Sequence, residues 1–327
     1  MRIFLILLLL QIITQSPEKL ILDENYPIWL KDNEKHSDQT SGITFIGTKN
    51  NAKYFLICDD IGKIHRIKLK NNKLDIETIK FSKSVENFLD KFEKKDFEEI
   101  VYDKFTNRVY ISIEGNGLNY KNEVGIYQVR FNNDDVFSDE IIDITKIEFS
   151  DWAKISKYTD QNIGFEGLGI SENKLFLGLE GFQFGQIFLD STMLYVVDKN
   201  SKKLVREIST KELGIHTICG LYAIDDYHLY GIDRNQQHFF EIVFDRDYNV
   251  IKCDLVKLEL PVPGNKKFKY VAAIESITVD DERNVYVVDD PWKKFYVPPR
   301  DVLSQLRDED QENFKKFIPL LFKYKLN

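Results

Sequence analysis

Acidic residues recur in this chain at two points of a repeating strand pattern, and that spacing is the first sign of chemistry. Glu98, Glu166 and Glu275 each open a short apolar strand. Asp59, Glu114, Glu180, Asp233 and Asp289 each close the strand that follows. Strands joined by a tight turn run antiparallel, so the start of one lies beside the end of the next. All eight carboxylates are therefore expected at one end of their hairpins. Like charges converging in a partly desolvated place repel, and one or more has its pKa raised. Three roles fit such a cluster. A bound cation relieves the repulsion, and calcium, which takes about 6–8 oxygen ligands in tolerant geometry, suits carboxylates. On that reading Glu98, Glu166 and Glu275 are the metal ligands and the other five line the binding mouth. The acids can instead accept backbone N–H bonds from a neighbouring repeat or serve as turn residues. Thirdly, they can hold a cationic ligand without metal. Zinc fits less well, because His36, His65, His216, His228 and His238 show no paired ligand spacing.

The elements that must position these acids repeat along the chain. First strands start near 41, 98, 166, 219 and 275. A polar turn follows each, and then come second strands at 54–59, 109–114, 175–180, 229–233 and 285–289. Third strands rich in aromatics occupy 64–69, 126–131, 194–198, 239–244 and 321–326. Fourth, more polar strands are expected at 74–81, 141–147, 204–208 and 250–260. Four short antiparallel strands per unit of about fifty residues describe a propeller blade. The expected fold is all-β: one propeller of five four-stranded blades over 17–327, six if a degenerate blade hides in 132–163. The fifth unit ends after its third strand, and an unpaired edge invites aggregation. The apolar run 19–22 is the candidate for completing that blade and closing the ring. Inserts at 83–95 and 151–157 look helical and follow fourth strands. Residues 300–316 read as a surface helix between the second and third strands of the last blade.

Composition bounds the function. Hydrophobic residues make up 43% and aromatics 13%, with 24 Phe and 16 Tyr, a globular and strand-prone balance. The formal net charge of −8 carries no nucleic-acid footprint. Met1-Arg2, an apolar run from Ile3 to Ile13, and small residues at Thr14 and Ser16 read as a secretory signal peptide over 1–16. No later run is long enough to span a bilayer, so a secreted or periplasmic monomer is expected. Three cysteines, Cys58, Cys219 and Cys253, support no disulfide framework. Loops after second strands carry Gly115, Gly117, Gly181 and Gly185, and Phe182, Phe184, Trp292 and Tyr296 could line a pocket over the mouth. His216 reads as a solvated loop residue.

Units such as Gly164-Phe165-Glu166-Gly167-Leu168, Asp96-Phe97-Glu98-Glu99-Ile100 and Ala273-Ile274-Glu275-Ser276-Ile277 resemble the bacterial propellers called esterase-like phytase and SdiA-regulated proteins. More distantly, the Glu that opens the inner strand is similar to the calcium-binding Glu of gluconolactonase-type and phosphotriesterase-type propellers. The resemblance implies calcium held by Glu166 and its equivalents, and hydrolysis of a small ester or phosphoester. Ser41 and Cys219 replace Glu in two units, and five units rather than six change the site geometry. Lys63, His65, Arg234 and Lys293 are the nearest cations for a phosphate. With no identifiable nucleophile, the competing reading is a non-catalytic propeller binding a protein or glycan across the same face.

Overall fold

Burial separates the inner strands of this chain from the outer ones. Phe165–Ile170 is buried at every residue, as a strand covered on both faces must be. Lys73–Thr78 alternates buried and exposed residues, the period-two pattern of a strand with one wet face. The computed structural model describes residues 19–326 except 186, 270–272 and 293–295. The expected signal peptide over 1–16 lies outside the described residues.

The strands form a five-bladed β-propeller. Blade 1 is Thr40–Lys49, Ala52–Asp59, Lys63–Lys70 and Lys73–Thr78. Blade 2 is Phe97–Asp103, Arg108–Ile113, Gly125–Phe131 and Glu140–Lys146. Blade 3 is Phe165–Ile170, Lys174–Leu179, Met193–Asp198 and Leu204–Ser209. Blade 4 is Gly220–Asp225, His228–Asp233, His238–Phe244 and Val250–Lys257. Blade 5 is Ala273–Val279, Asn284–Asp290 and Leu320–Leu326, and its fourth strand comes from the other end of the chain, Leu20–Leu22. That closure is antiparallel, with Leu20 opposite Leu326 and Leu22 opposite Tyr324, so the N-terminal strand covers the edge as expected. Ile28–Trp29 adds a second short pairing at Leu321 and Leu320.

The five inner strands pack side by side around one axis, each against the next and the fifth against the first. Five hydrophobic clusters, one per blade junction, replace a single core. Leu56 and Ile64 meet Phe97 and Ile111 between blades 1 and 2. Phe55 and Ile57 meet Tyr286 and Val288 at the closing junction of blades 5 and 1.

Several boundaries differ from the sequence reading. The run 74–81 is not one strand: it breaks at Ile79, and Lys80–Phe81 crosses to pair in parallel with Glu140–Ile141 of blade 2. Residues 132–163 hold no sixth blade, because their one regular strand is the fourth of blade 2 and the rest is short helical turns. The helical inserts are found at Lys83–Leu89, at Trp152–Ile155, and at Arg300–Leu303 with Asp308–Lys315.

Just inside one opening a side chain crosses between blades. Glu99 of blade 2 reaches over Gly42 of blade 1 to Ser276 of blade 5, whose hydroxyl lies 2.7 and 2.8 Å from its two oxygens. The Ser276 hydroxyl also accepts the Ile43 amide at 3.0 Å. Glycine at 42 leaves the room: a Cβ there would lie 2.6 Å from the Ile100 nitrogen and 2.8 Å from both Cys58 Sγ and Glu99 Oε1. Gly42→Ala is therefore expected to cost about 1–3 kcal/mol through overpacking, read as a lower midpoint in denaturant unfolding. An unchanged midpoint would mean the three-blade contact adapts freely.

Candidate metal and cation site

Strand register decides which acids face the axis. Cys58, Ser112, Gly178, Ile232 and Val288 pair with Gly42, Glu99, Gly167, Gly220 and Ser276, and so are equivalent in the five blades. Two residues further on stand Asp60, Glu114, Glu180, Arg234 and Asp290. On the inner strands the register shifts between Thr40 and Gly42, Phe97 and Glu99, Phe165 and Gly167, and Ile274 and Ser276. Each shift is a bulge that frees one residue and re-aims its side chain. The freed residues are Ser41, Glu98, Glu166 and Glu275, and Cys219 holds the matching place in blade 4. Two rings of side chains thus meet at one opening.

Of the expected mouth acids, Glu114 and Glu180 join this group, as do Glu98, Glu166 and Glu275. Asp59, Asp233 and Asp289 do not. Side chains alternate faces along a strand, so one residue separates a mouth position from a blade-interior position. Asp59 accepts the Lys63 amide at 2.8 Å and lies 3.1 Å from His65 Nε2. Asp233 accepts the amides of His216 and Gln236 and the Thr217 hydroxyl. Asp289 accepts the Leu320 amide at 2.6 Å. All three accept backbone N–H bonds, Asp59 and Asp233 within the turn that follows and Asp289 from the start of the third strand. Their neighbours Asp60, Arg234 and Asp290 are the mouth residues, and the sequence signal for the two acids was the doubling in Asp59-Asp60 and Asp289-Asp290. Asp96, from the segment entering blade 2, was also missed; it is buried and within ligand distance of the ring.

Arg234 divides the group electrostatically. Its guanidinium donates to both oxygens of Glu275 at 2.5 and 2.7 Å and to Glu180, and Glu166 lies 3.5 Å away. On the other side Lys94 reaches Asp96 at 2.5 Å and Asp60 at 3.2 Å. Among the described residues, eight carboxyls, Asp60, Asp96, Glu98, Glu114, Glu166, Glu180, Glu275 and Asp290, interact through their charges, and these two cations serve them all. Burial pushes the Glu98 carboxyl well above the usual carboxylate range, and Asp96, Glu114, Glu166 and Asp60 push it further. Burial likewise raises Glu275 to about 7 although Arg234 opposes it. Asp60 rises to about 6, through burial first and then the charge of Asp96, with Lys94 opposing. Glu114 Oε1, Asp60 Oδ1 and Asp290 Oδ1 are buried without a hydrogen-bond partner.

Among the described residues, two sets of ligand atoms each lie within 4.8 Å of one another: Asp96, Glu98 and Glu114, and Glu166, Cys219 and Glu275. Arg234 already fills the second. The expected metal trio of Glu98, Glu166 and Glu275 is therefore divided between the sets. Of the residues expected over the mouth, Phe184 and Trp292 are exposed. Phe182 packs on Tyr158. Tyr296 is buried in the blade 5 core, where its hydroxyl donates to the Ile318 carbonyl. Lys293 lies outside the described residues. All three cysteines are free thiols.

No protein-family profile matches the sequence, and no curated protein matches it. Among solved structures, the chain is similar to the GH43_1 enzyme from Xanthomonas citri complexed with xylose, with TM-score 0.51, 8% identity, and coverage of 92% of this chain and 89% of that chain. A luciferin-regenerating enzyme gives TM-score 0.48 and 13% identity over 92% of this chain and 95% of that one. The PQQ-bound aldose sugar dehydrogenase from Streptomyces coelicolor gives 0.45 and 8% over 92% and 98%. At these identities the likeness is one of fold. The class the fold and site define is a β-propeller with a desolvated acidic mouth.

Two outcomes follow from the charge balance. Arg234→Met strands three buried carboxylates and is expected to cost about 3–5 kcal/mol, with the loss shrinking in millimolar calcium if an ion takes the vacated place. A group whose carboxyl pKa is raised on folding binds protons more tightly folded than unfolded, so stability falls as pH rises through that window. For Glu275 the window runs from 4.5 to about 7, and for Asp60 from 3.8 to about 6. In chelator the melting midpoint should be higher at about pH 5.5 than at about pH 8; the opposite slope would show that the mouth is already neutralised.

Proposed function

We propose that this chain is an exported β-propeller whose mouth binds calcium at Asp96, Glu98 and Glu114 and hydrolyses a small ester or phosphoester there. The observation that carries the reading is Glu114: it is 3% exposed, its Oε1 has no hydrogen-bond partner, and it lies within ligand distance of Asp96 and Glu98. A buried anionic oxygen left without a donor is costly. An all-oxygen donor set fits a hard divalent cation better than zinc. Bound there, calcium supplies Lewis-acid polarisation of a carbonyl or phosphoryl oxygen. Asp60, with its partnerless Oδ1 in the same group, is the candidate for accepting the proton of the attacking water. Export to the cell surroundings or the periplasm rests on the signal-like 1–16 and brings the mouth to a calcium-rich compartment.

The remaining carboxylates narrow the substrate. Eight acids against two cations disfavour a polyanion, so an ester fits better than a multiply phosphorylated substrate. A second reading, a propeller that binds without turnover, is favoured by Cys219. Cys219 and Ser41 are the nucleophile types in the ring: burial holds the Cys219 thiol protonated well above the usual range, and the Ser41 hydroxyl donates to the Gln39 carbonyl.

Calcium at a hundredfold excess over Kd should add about 2.7 kcal/mol of stability. Glu98→Gln and Glu114→Gln should each abolish most of that gain, and the same variants should lose hydrolysis of p-nitrophenyl esters. A calcium shift without hydrolysis leaves the binding propeller. No shift with calcium, and none on chelation, removes the metal.

A further inference from the structure

The mouth has a second property, one that a metal ion does not use. The loops leaving the carboxylate ring hold large apolar side chains in water. Leu118 lies in the loop after Glu114 and is 99% exposed. Phe184 and Ile187 follow Glu180, face each other across a two-stranded hairpin, and are 80% and 70% exposed. Ile61, directly after Asp60, is also exposed. Water-exposed apolar groups beside a functional opening mark a binding surface, and here they rim a cluster of buried acids.

Arg234 shows from within the chain what this combination holds. Its guanidinium sits among Glu166, Glu180 and Glu275, and its Cζ lies 6.0 Å from the centre of the Phe188 ring, on the same hairpin as Phe184 and Ile187. The rest of the ring has acids of the same kind, with partnerless oxygens on Glu114, Asp60 and Asp290.

We infer that the mouth is a binding site for an organic cation, a primary ammonium or guanidinium group carried on an apolar stem. The head group donates to the partnerless oxygens, and the stem lies along Leu118, Phe184 and Ile187. An ammonium offers three donors and a guanidinium five, which suits the partnerless carboxyl oxygens of Glu114, Asp60 and Asp290, and an apolar rim adds affinity in proportion to the area it covers. This goes beyond the calcium reading and does not rest on it. A free amine and the Lys or Arg side chain of a polypeptide share the chemistry.

The test is calorimetric titration of the full chain, in chelator, with hexylammonium, methylammonium and hexanol. Hexylammonium is expected to bind at least about tenfold more tightly than either control, because only it has both charge and stem. Phe184→Ser with Ile187→Ser, two exposed positions on the hairpin, should bring hexylammonium to within about threefold of methylammonium. Hexanol binding as well as hexylammonium, or the double variant binding as well as the parent, overturns the inference. A capped Leu-Phe-Lys-Phe-Leu peptide separates the sources. Binding tighter than hexylammonium assigns a polypeptide ligand and weaker binding assigns a free amine, whereas equal binding of the norleucine analogue overturns the charge requirement. The calcium shift is measured separately, so either result can fail alone.

Discussion

The structure turns on one arrangement, Arg234 held between Glu275, Glu180 and Glu166 at one mouth of a five-bladed ring. Desolvation there disfavours every ionised carboxyl, and a single guanidinium answers three of them. Nη1 reaches both Glu275 oxygens while Nη2 reaches Glu180, so the planar group bridges acids of two other blades. The fourth blade thus supplies from its own chain the cation that the other blades lack. On the opposite side Lys94 is the cation that meets Asp96 and Asp60 among the described residues, and partnerless oxygens remain. The asymmetry of the mouth is therefore one of compensation, not of position, since equivalent backbone sites carry Arg in one blade and acids in four.

That arrangement survives because its support lies elsewhere. Five apolar clusters seat the blades against one another, and none depends on the mouth. The ring closes by pairing Leu20–Leu22 with Leu320–Leu326, which leaves no free edge at the junction. On the face opposite the acids, polar staples join neighbours: Asp226 of blade 4 accepts from Ser171 and Asn173 of blade 3, and Lys199 of blade 3 reaches Asp103 of blade 2. The Lys199–Asp103 pair there sets one cation against one acid. The mouth is the place where charge is left over, which is why both readings of its function place a cation there.

Calcium and an organic cation answer the same physical demand in different ways. A metal ion gathers several oxygens at a point, and the trio of Asp96, Glu98 and Glu114 is compact enough for that. An ammonium on a stem spreads its contact from the buried oxygens outwards, and the exposed side chains of the 117–119 and 183–188 loops give it somewhere to go. Both uses draw on the buried oxygens, and the second adds the rim.

Much of this was legible from the order of residues alone. Period-two apolar runs, turn residues between them and their fivefold recurrence specify blades, because each strand needs one face against a neighbour. The missing last strand and the apolar run near the start specify ring closure. The bulge glutamates Glu98, Glu166 and Glu275 were also visible, since they stand in register before the same apolar pattern. Tertiary structure decided the rest. Whether Asp59 or Asp60, and Asp289 or Asp290, faces the axis depends on strand pairing, where a slip of one residue exchanges the two faces. That Arg234 answers three acids from two other blades and Cys219 shares their site follows from the closed ring, which brings together residues 41 to more than a hundred positions apart in sequence. No local pattern encodes such a meeting; only the packing of one blade on the next produces it.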